Sequence, residues 1–377
     1  MIRRIGLLGV AIIAIVLFGV MGRRYVDGFS LVVRAADLSG LVRWASDLDT
    51  VSVVERLVQI PVPNASIRAR VYAPLGTPRQ TVLVVSGLHP AGIDEPRLVD
   101  LARKLAEASV TVVTPEIPEL ARFEITGTLT EWIEETAAWL ATDSGLAPAG
   151  RIGLMGISFS GGLAVVAAGR PTLRNRLTYV LSFGGHDDLR RVLDYFLAGS
   201  EREASPHDYG VAVVLLNVAD RLVPPDQVAP LRDGVRRFLS ASYLDRVNKP
   251  EAAREFASLR VLARTLPEPS ATLLEYVNNR DVVHLGPRLL PYVGLADAPE
   301  LSPARSPAPT APVFLIHGRR DNVIPAAESE RLADRLRGQV AVHLLVTNLI
   351  SHADADQPAR VIDVLRMAGF WGDLLAQ

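Results

Sequence analysis

Apolar and polar positions show two kinds of pattern along most of this chain of 377 residues. Short apolar runs of strand length alternate with longer stretches in which apolar residues recur at helical spacing. Strands are predicted near Val51 to Ile60, Ile67 to Tyr72, Thr81 to Val85, Val110 to Thr114, Arg151 to Met155 and Tyr179 to Phe183, then within Ala311 to Pro325 and at Val340 to Val346. Alternation at these lengths is typical of an α/β fold with a mainly parallel, doubly wound sheet.

The pattern changes in residues 189–298, where apolar positions keep a helical period and no strand pattern is clear. Pro299 to Pro312 then contains five prolines, which is typical of an extended linker. We expect residues 51–188 and 312–377 to form the core of the domain. Residues 189–311 are predicted to be a helical cap with its return linker, inserted between the sixth and seventh strands of the core.

The N-terminal residues carry a separate pattern. Ile5 to Gly22 is a run of 18 residues without a charge, flanked by Arg3-Arg4 and Arg23-Arg24. As a helix this run spans about 27 Å, close to the thickness of the hydrocarbon layer of a bilayer. Residues 1–24 are therefore predicted to be a single-pass membrane anchor, and residues 25–50 an amphipathic helical spacer. A cleaved signal peptide and a buried helix are the alternatives, and the arginines on both sides leave the orientation in the membrane open.

Composition narrows the classes of function. The formal net charge of −1 gives no general attraction to nucleic acid. The absence of cysteine excludes disulfides and thiolate catalysis. No GxxxxGK[ST], HExxH or paired CxxC motif occurs, so no cofactor and no metal is predicted. The basic residues are arginine except for Lys104 and Lys249, which indicates a bacterial genome rich in Ala and Arg codons.

A serine lies at the predicted turn between strand and helix in the segment Arg151 to Gly162. Ser158 has small residues two positions away on each side, Gly156 and Ser160, as a tight strand-to-helix turn requires. A serine held there projects its hydroxyl above the sheet edge, where a base can take its proton. Ser160 fits the same spacing and gives a rival register, although only Ser158 follows directly on the apolar strand. Taken alone, the motif is also compatible with a Gly- and Ser-rich turn that has no catalytic function.

This segment resembles the nucleophile elbow of the α/β-hydrolase family, with Ser160 where the family usually has glycine. Residues Ala311 to Pro325 resemble the family's loop His-Gly-x-x-Asp-x-Val-x-Pro, which implies Asp321 as the catalytic acid. His352 follows the last predicted strand, where the family has its catalytic base. The order Ser, Asp, His along the chain is also that of the family.

The loop after the third strand, Ser86-Gly87-Leu88-His89, is similar to the family's oxyanion loop. The resemblance implies the backbone N–H groups of Leu88 and Phe159 as donors to the oxyanion of the reaction. His89 is a further candidate, as a residue that lines the substrate pocket.

Other acidic and histidine residues are weaker candidates for catalysis. Asp220 imitates an acid loop, but the apolar period around it predicts a surface position within a helix. His317 lies at a strand end, where we expect a structural hydrogen bond, whereas His186 and His284 lie in no motif.

Together these patterns predict a membrane-tethered serine hydrolase that forms an acyl-enzyme with a small-molecule acyl substrate. Carboxylic esters are favoured, and thioesters and amides stay open. The alternatives are a catalytically silent hydrolase fold that acts as a tethered binding or scaffold protein, and an acyltransferase that uses the same three residues. The cap is expected to cover Ser158 and select the acyl group. Leu193, Phe196, Val213 and Leu216 are candidates for its apolar wall, although most of them are expected to pack the core of the cap itself.

Overall fold

The computed structural model describes residues 22–63, 65–197, 209–350 and 361–377. Within them one sheet has eight strands in the order β1-β2-β4-β3-β5-β6-β7-β8. The strands are β1 (Val53–Val62), β2 (Ala65–Pro74), β3 (Gln80–Val85), β4 (Val110–Pro115), β5 (Ile152–Ile157), β6 (Leu177–Phe183), β7 (Val313–Gly318) and β8 (Val342–Thr347). β2 is antiparallel to both β1 and β4, and every other pair is parallel. The predicted α/β class with a mainly parallel sheet is confirmed.

Helices cover both faces of the sheet. Those of the core are α1 (residues 22–35), α2 (Leu41–Asp47), α3 (Pro96–Glu107), α4 (Pro118–Ala121), α5 (Thr128–Thr142), α6 (Phe159–Ala168), α13 (Ala326–Leu336) and α14 (Val361–Leu375). Those of the insert are α7 (Leu189–Leu197), α8 (Tyr209–Val218), α9 (Pro225–Val247), α10 (Lys249–Thr265), α11 (Ser270–Asn278) and α12 (Val282–Leu289).

Strand residues alternate between two apolar clusters, one on each face of the sheet. In β3, Leu83 and Val85 join the cluster that includes α5 and α6. Val82 and Val84 join the cluster that includes α3 and α14. Because such strands are buried on both sides, they have continuous apolar runs rather than a polar alternation.

The residues predicted as a spacer pack against the core. Leu31 of α1 is buried in the cluster with α3 and α14. α1 and α14 approach so closely that a Cβ at Gly28 would overlap the carbonyl oxygen of Ala368. The buried guanidinium of Arg34 also donates to the Glu107 carboxylate at 2.8 Å. These contacts attach α1 firmly to the domain.

The predicted anchor, Ile5 to Gly22, lies outside the described residues except for Gly22. Across the four described ranges, no helix combines the length and the apolar character that crossing a membrane requires.

The insert between β6 and β7 is helical, and its described residues contain no strand. The stretch predicted as a linker contains two short 3₁₀ turns, Pro299–Leu301 and Pro303–Arg305. Asp220 lies in a third 3₁₀ turn, Ala219–Arg221, which directly follows α8. Its position is thus just beyond the helix in which it was predicted, and its carboxylate is exposed and paired with Arg232 at 2.6 Å.

A buried ion cluster fixes the root of the insert to the core. Glu328 of α13 accepts the backbone N–H groups of Asp187 and Asp188 at 3.1 and 3.0 Å. Arg191 of α7 donates to both Glu328 and Asp187 at 2.8 Å. Arg335 completes the cluster by donating to Asp187 at 2.6 Å.

Candidate active site

Ser158 occupies a strained turn between β5 and α6. Its φ of 56° and ψ of −128° lie in a region that residues with a side chain rarely adopt. Its N–H donates to Phe183 O at 2.7 Å, and its C=O accepts from Gly161 N at 2.8 Å. A Cβ at Gly156 would overlap Ser160 O, so the glycine before the turn is required by this close approach. Strain held by surrounding contacts in this way is typical of functional sites.

Ser160 has a different environment from Ser158. It is fully buried in the first turn of α6, and its Oγ donates to Ser86 O at 2.6 Å. The hydroxyl therefore ties the elbow to the loop that follows β3, which gives a physical reason for serine where the family usually has glycine. Ser158, in contrast, lines a cavity. The geometry thus favours Ser158 over Ser160 as the nucleophile.

The carboxylate of Asp321 is buried in the loop after β7 and is held by the backbone. Oδ1 accepts the N–H groups of Val323 and Ile324 at 2.8 and 2.9 Å. Oδ2 lies 3.3 Å from Nε2 of His317. Two N–H donors on one oxygen fix the plane of the carboxylate before any substrate is bound.

His317 supports this loop with both ring nitrogens. Nε2 lies 2.7 Å from Ile324 O, and Nδ1 lies 2.6 Å from Ser329 Oγ. A carbonyl only accepts, so Nε2 carries a proton and donates to Ile324 O. His317 thus makes structural hydrogen bonds at the end of its strand, where such a role was predicted.

His352, the predicted base, lies in residues 351–360, outside the described residues. The chain before it lies beside the site, because Asn348 and Ile350 line the same cavity as Ser158. β8 pairs with β7, so its carboxyl end is adjacent to the Asp321 loop. The rival carboxylate of Asp220 is absent from the lining of this cavity.

The predicted oxyanion residues, Leu88 and Phe159, both line the cavity. The loop after β3 passes directly over the elbow, since a Cβ at Gly87 would lie 3.7 Å from Ser158 Oγ. Tyr209, the first residue of α8, donates from its hydroxyl to Leu88 O at 3.2 Å. The insert therefore contacts the loop that would hold the oxyanion.

The cavity above Ser158 has a volume of about 680 Å³ and lies between the sheet edge and the insert. Of the residues predicted for its apolar wall, Leu193, Phe196 and Val213 line it. Leu216 is buried within the insert instead and is not part of the lining. The helical period alone did not show that Val213 of α8 faces the cavity whereas Leu216 faces the interior of the insert.

One end of the cavity is polar, and of its residues only His89 was predicted from the sequence. This end is lined by His89, Glu95, Arg97, Tyr243 and Arg246. Nδ1 of His89 accepts from Ala91 N at 3.2 Å, and its ring packs edge-on against Tyr243 at 4.4 Å. Burial lowers the pKa of His89 to about 4; the Glu95 carboxylate opposes this shift, whereas both arginines add to it. His89 is therefore neutral at pH 7 and carries its proton on Nε2.

Within the described ranges, no group of three His, Cys, Asp or Glu residues is placed to hold a metal ion. The described residues of this site supply a serine hydroxyl, a buried carboxylate and backbone N–H groups.

No family model matches this chain, and no curated protein matches it. Solved structures of similar fold include acylaminoacyl peptidase from Pyrococcus horikoshii, at 13% identity and a TM-score of 0.46. That match covers 84% of this chain, which spans only 40% of the peptidase chain. An esterase from Pyrobaculum calidifontis matches at 17% identity and a TM-score of 0.45, covering 89% of this chain and 84% of that one. Dienelactone hydrolase from Anabaena variabilis matches at 17% identity and a TM-score of 0.43, with coverage of 85% and 96%. These likenesses are distant.

Proposed function

We propose that this protein is a serine hydrolase of carboxylic esters in which Ser158 is the nucleophile, His352 the base and Asp321 the acid. One observation carries the proposal: Ser158 is held at positive φ at the end of β5, on the wall of a cavity. A non-glycine residue adopts this backbone conformation at a cost that the surrounding contacts must offset. The strain directs the hydroxyl above the sheet edge, which is what a nucleophile at this position requires.

The proposed reaction proceeds through an acyl-enzyme. His352 accepts the proton of Ser158 as Oγ attacks the carbonyl carbon of the ester. The negative charge that develops on the carbonyl oxygen is stabilised by the N–H groups of Leu88 and Phe159. Collapse of this intermediate breaks the bond to the alcohol, which leaves with the proton from His352. Water then repeats the sequence on the acyl-enzyme, which releases the carboxylic acid and restores Ser158.

Asp321 has the geometry expected of the acid in this scheme. Its Oδ1 is occupied by two backbone N–H groups, so the carboxylate cannot rotate easily. In the proposal its Oδ2 accepts a hydrogen bond from His352 Nδ1, which fixes the tautomer of the imidazole and stabilises the imidazolium.

The insert supports a substrate with an apolar acyl group. Leu193, Phe196 and Val213 form an apolar wall, and the cavity of about 680 Å³ is of a size typical for sites that bind small molecules. Residues of the insert line the cavity that contains Ser158, so we propose that the insert excludes water and selects the acyl group by shape.

We further propose that residues 5–22 tether the enzyme to a membrane. The support is the run of 18 uncharged residues between two arginine pairs. This run leads directly into α1, which packs on α14, so a tether there would hold the domain close to the bilayer.

Labelling with a fluorophosphonate, followed by mapping of the modified peptide, tests the proposal on the full chain. We expect the label on Ser158, loss of labelling and of esterase activity in Ser158→Ala, and measurable activity in Ser160→Ala. The second variant is a matched control, because it removes a hydroxyl two residues away that makes a structural hydrogen bond. A label on Ser160, or a folded protein that neither labels nor hydrolyses esters, would contradict the proposal. The second result would favour a silent binding protein.

A further inference from the structure

An exposed apolar surface covers the two helices that follow the proposed tether. We call it the hairpin surface and define it by its exposed side chains in α1 and in and beside α2: Tyr25, Val26, Phe29, Leu38, Leu41, Val42, Trp44 and Leu48. α14, which packs on α1, adds Val361, Ile362 and Leu365. These positions include more than half of the exposed large apolar side chains in the described ranges. Apolar groups concentrated in this way mark an interaction site more often than scattered ones do.

The hairpin surface is rigid because its opposite side is part of the core. Leu31 on the inner side of α1 is buried with α14. α2 is attached to α1 by the hydrogen bond from Ser30 Oγ to Ser46 O at 2.9 Å. α1 therefore has buried apolar side chains on its inner side and exposed apolar side chains on its outer side.

Several charged side chains of this hairpin have ion-pair partners within it. Arg43 pairs with both Asp37 and Asp47, at 3.0 and 2.9 Å. Arg23 pairs with Asp49 at 3.5 Å. Pairing reduces the cost of bringing charges near a region of low dielectric constant. The hairpin therefore presents apolar side chains beside charges that already have partners.

The position of the hairpin in the chain indicates what covers the surface. Residues 1–21 lie outside the described residues and join α1 directly. They include the uncharged run that we propose to be in the membrane. A bilayer that holds this run must lie within a few residues of Tyr25 and Val26. The exposed indole of Trp44 adds a side chain that favours the boundary between headgroups and acyl chains.

We propose that the hairpin surface docks on the lipid bilayer, so that α1 and α2 lie in the interface beside the tether. The proposal rests on the membrane tethering proposed above and goes beyond it, since a tether alone leaves the domain mobile. Helices of this kind bury an apolar side at the depth of the headgroups and remain bound to one another.

Fluorescence in vesicles tests the docking on the full chain. The chain has no cysteine, so a single Leu48→Cys variant can carry a nitrobenzoxadiazole probe. Val283→Cys in α12 is the matched control, because Leu48 and Val283 are 69% and 68% exposed. The protein is reconstituted in phosphatidylcholine vesicles that carry nitroxide groups high on the acyl chains. We expect a blue shift and loss of emission for the probe at position 48, and neither change at position 283.

A second variant tests whether the apolar surface itself is responsible. Leu41→Glu combined with Trp44→Glu removes two side chains that are 84% and 63% exposed, so little packing is lost. Flotation with the vesicles should persist through the tether, whereas quenching of the probe at position 48 should be lost. Quenching that persists would overturn the docking.

The remaining outcomes separate docking from tethering and from catalysis. Flotation without quenching at position 48 overturns the docking and leaves the tether intact. If cross-linking then joins position 48 of two molecules, the surface binds a second copy of the chain. Equal quenching at positions 48 and 283 also overturns the docking, because it shows no preferred side. Failure to float overturns tether and docking together, and fluorophosphonate labelling reports on catalysis independently of all of these.

Discussion

The sheet edge and the insert meet in one cavity, but they are held by different kinds of interaction. At the sheet edge, backbone groups fix the proposed catalytic residues: Ser158 N donates to Phe183 O, and two N–H groups hold Asp321. The insert contributes apolar side chains such as Leu193 and Phe196, and its root is fixed by side chains around Glu328. In the proposed function, the chemistry would thus depend on contacts that tolerate little change, whereas substrate choice would depend on packing that can vary.

The largest effect is expected at the sheet edge. Asp321→Asn should lower kcat/KM for a small ester by about 10⁴-fold, because an amide at this position favours the wrong tautomer of the base. Asp220→Asn is the control, since that carboxylate is exposed and lies outside the cavity lining. Steady-state kinetics with a nitrophenyl ester measure both variants, and equal losses in the two would rule out Asp321 as the acid.

The second largest effect is expected for the ion cluster around Glu328, which joins the insert to the core. Glu328→Gln removes a buried charge that faces Arg191, which we expect to lower the free energy of unfolding by about 3–5 kcal/mol. Asp334→Asn breaks an exposed ion pair with Arg337 and should cost less than about 1 kcal/mol. Urea unfolding at neutral pH measures both, and a Glu328→Gln variant as stable as Asp334→Asn would contradict the role given to the cluster.

The same cluster predicts a dependence of stability on pH. Burial raises the pKa of Glu328, but its hydrogen bonds from Arg191 and from the Asp188 N–H outweigh burial and hold the pKa below the usual 4.5. The stabilisation is therefore complete above pH 4.5 and is lost as the pH falls through the lower pKa of the folded state. Glu328→Gln should therefore reduce the fall in the free energy of unfolding at acid pH, measured by urea unfolding at a series of pH values.

Within the insert, a change should alter selection and spare the chemistry. Phe196→Leu shortens a side chain of the apolar wall and so enlarges the cavity. The preferred acyl length should shift, with about a tenfold change in the ratio of kcat/KM between short and longer acyl esters. Leu216→Val is the matched control, because Leu216 is buried in the insert but does not line the cavity. Reactivity toward a small fluorophosphonate should be similar in both. An unchanged acyl preference in Phe196→Leu would show that the insert does not select the substrate.

An effect on stability is also expected at His89, where the two regions meet. Its folded pKa of about 4 lies below the ordinary 6.5, chiefly because of burial, so the unfolded chain binds the proton more readily. Stability should thus rise as the pH increases from about 4 to 6.5, and His89→Gln should reduce that rise. His284→Gln, which alters an exposed imidazole, is the control in the same measurement.

The sequence was sufficient for features that depend on neighbouring residues. The strands, the elbow around Ser158 and the loop of Asp321 each have a local pattern of apolar and small residues. The fold class was therefore predictable, and Ser158 lies directly after the strand, at the turn where its distance from the strand end had placed it. Asp220 was predicted within a helix but lies in the 3₁₀ turn that follows it, because the apolar period does not define where a helix ends.

Features that join distant parts of the chain left no such signal. The ion cluster at Glu328 joins residues about 140 positions apart, and the polar end of the cavity brings Tyr243 to His89. The packing of α1 on α14 was not predicted either, since apolar side chains lie on both sides of α1. Its period indicated an amphipathic helix without revealing which side was inward.

The burial of α1 determines how the domain could be released from a surface by proteolysis. A cut before Gly22 would leave Leu31 in the core and the contact between Arg34 and Glu107 intact. A cut in the turn between α2 and β1 would separate both helices from the rest of the chain and uncover the side of α14 around Ala368 and Gly372. Shedding at the first position should therefore yield an active fragment, whereas shedding at the second should yield one that is readily degraded.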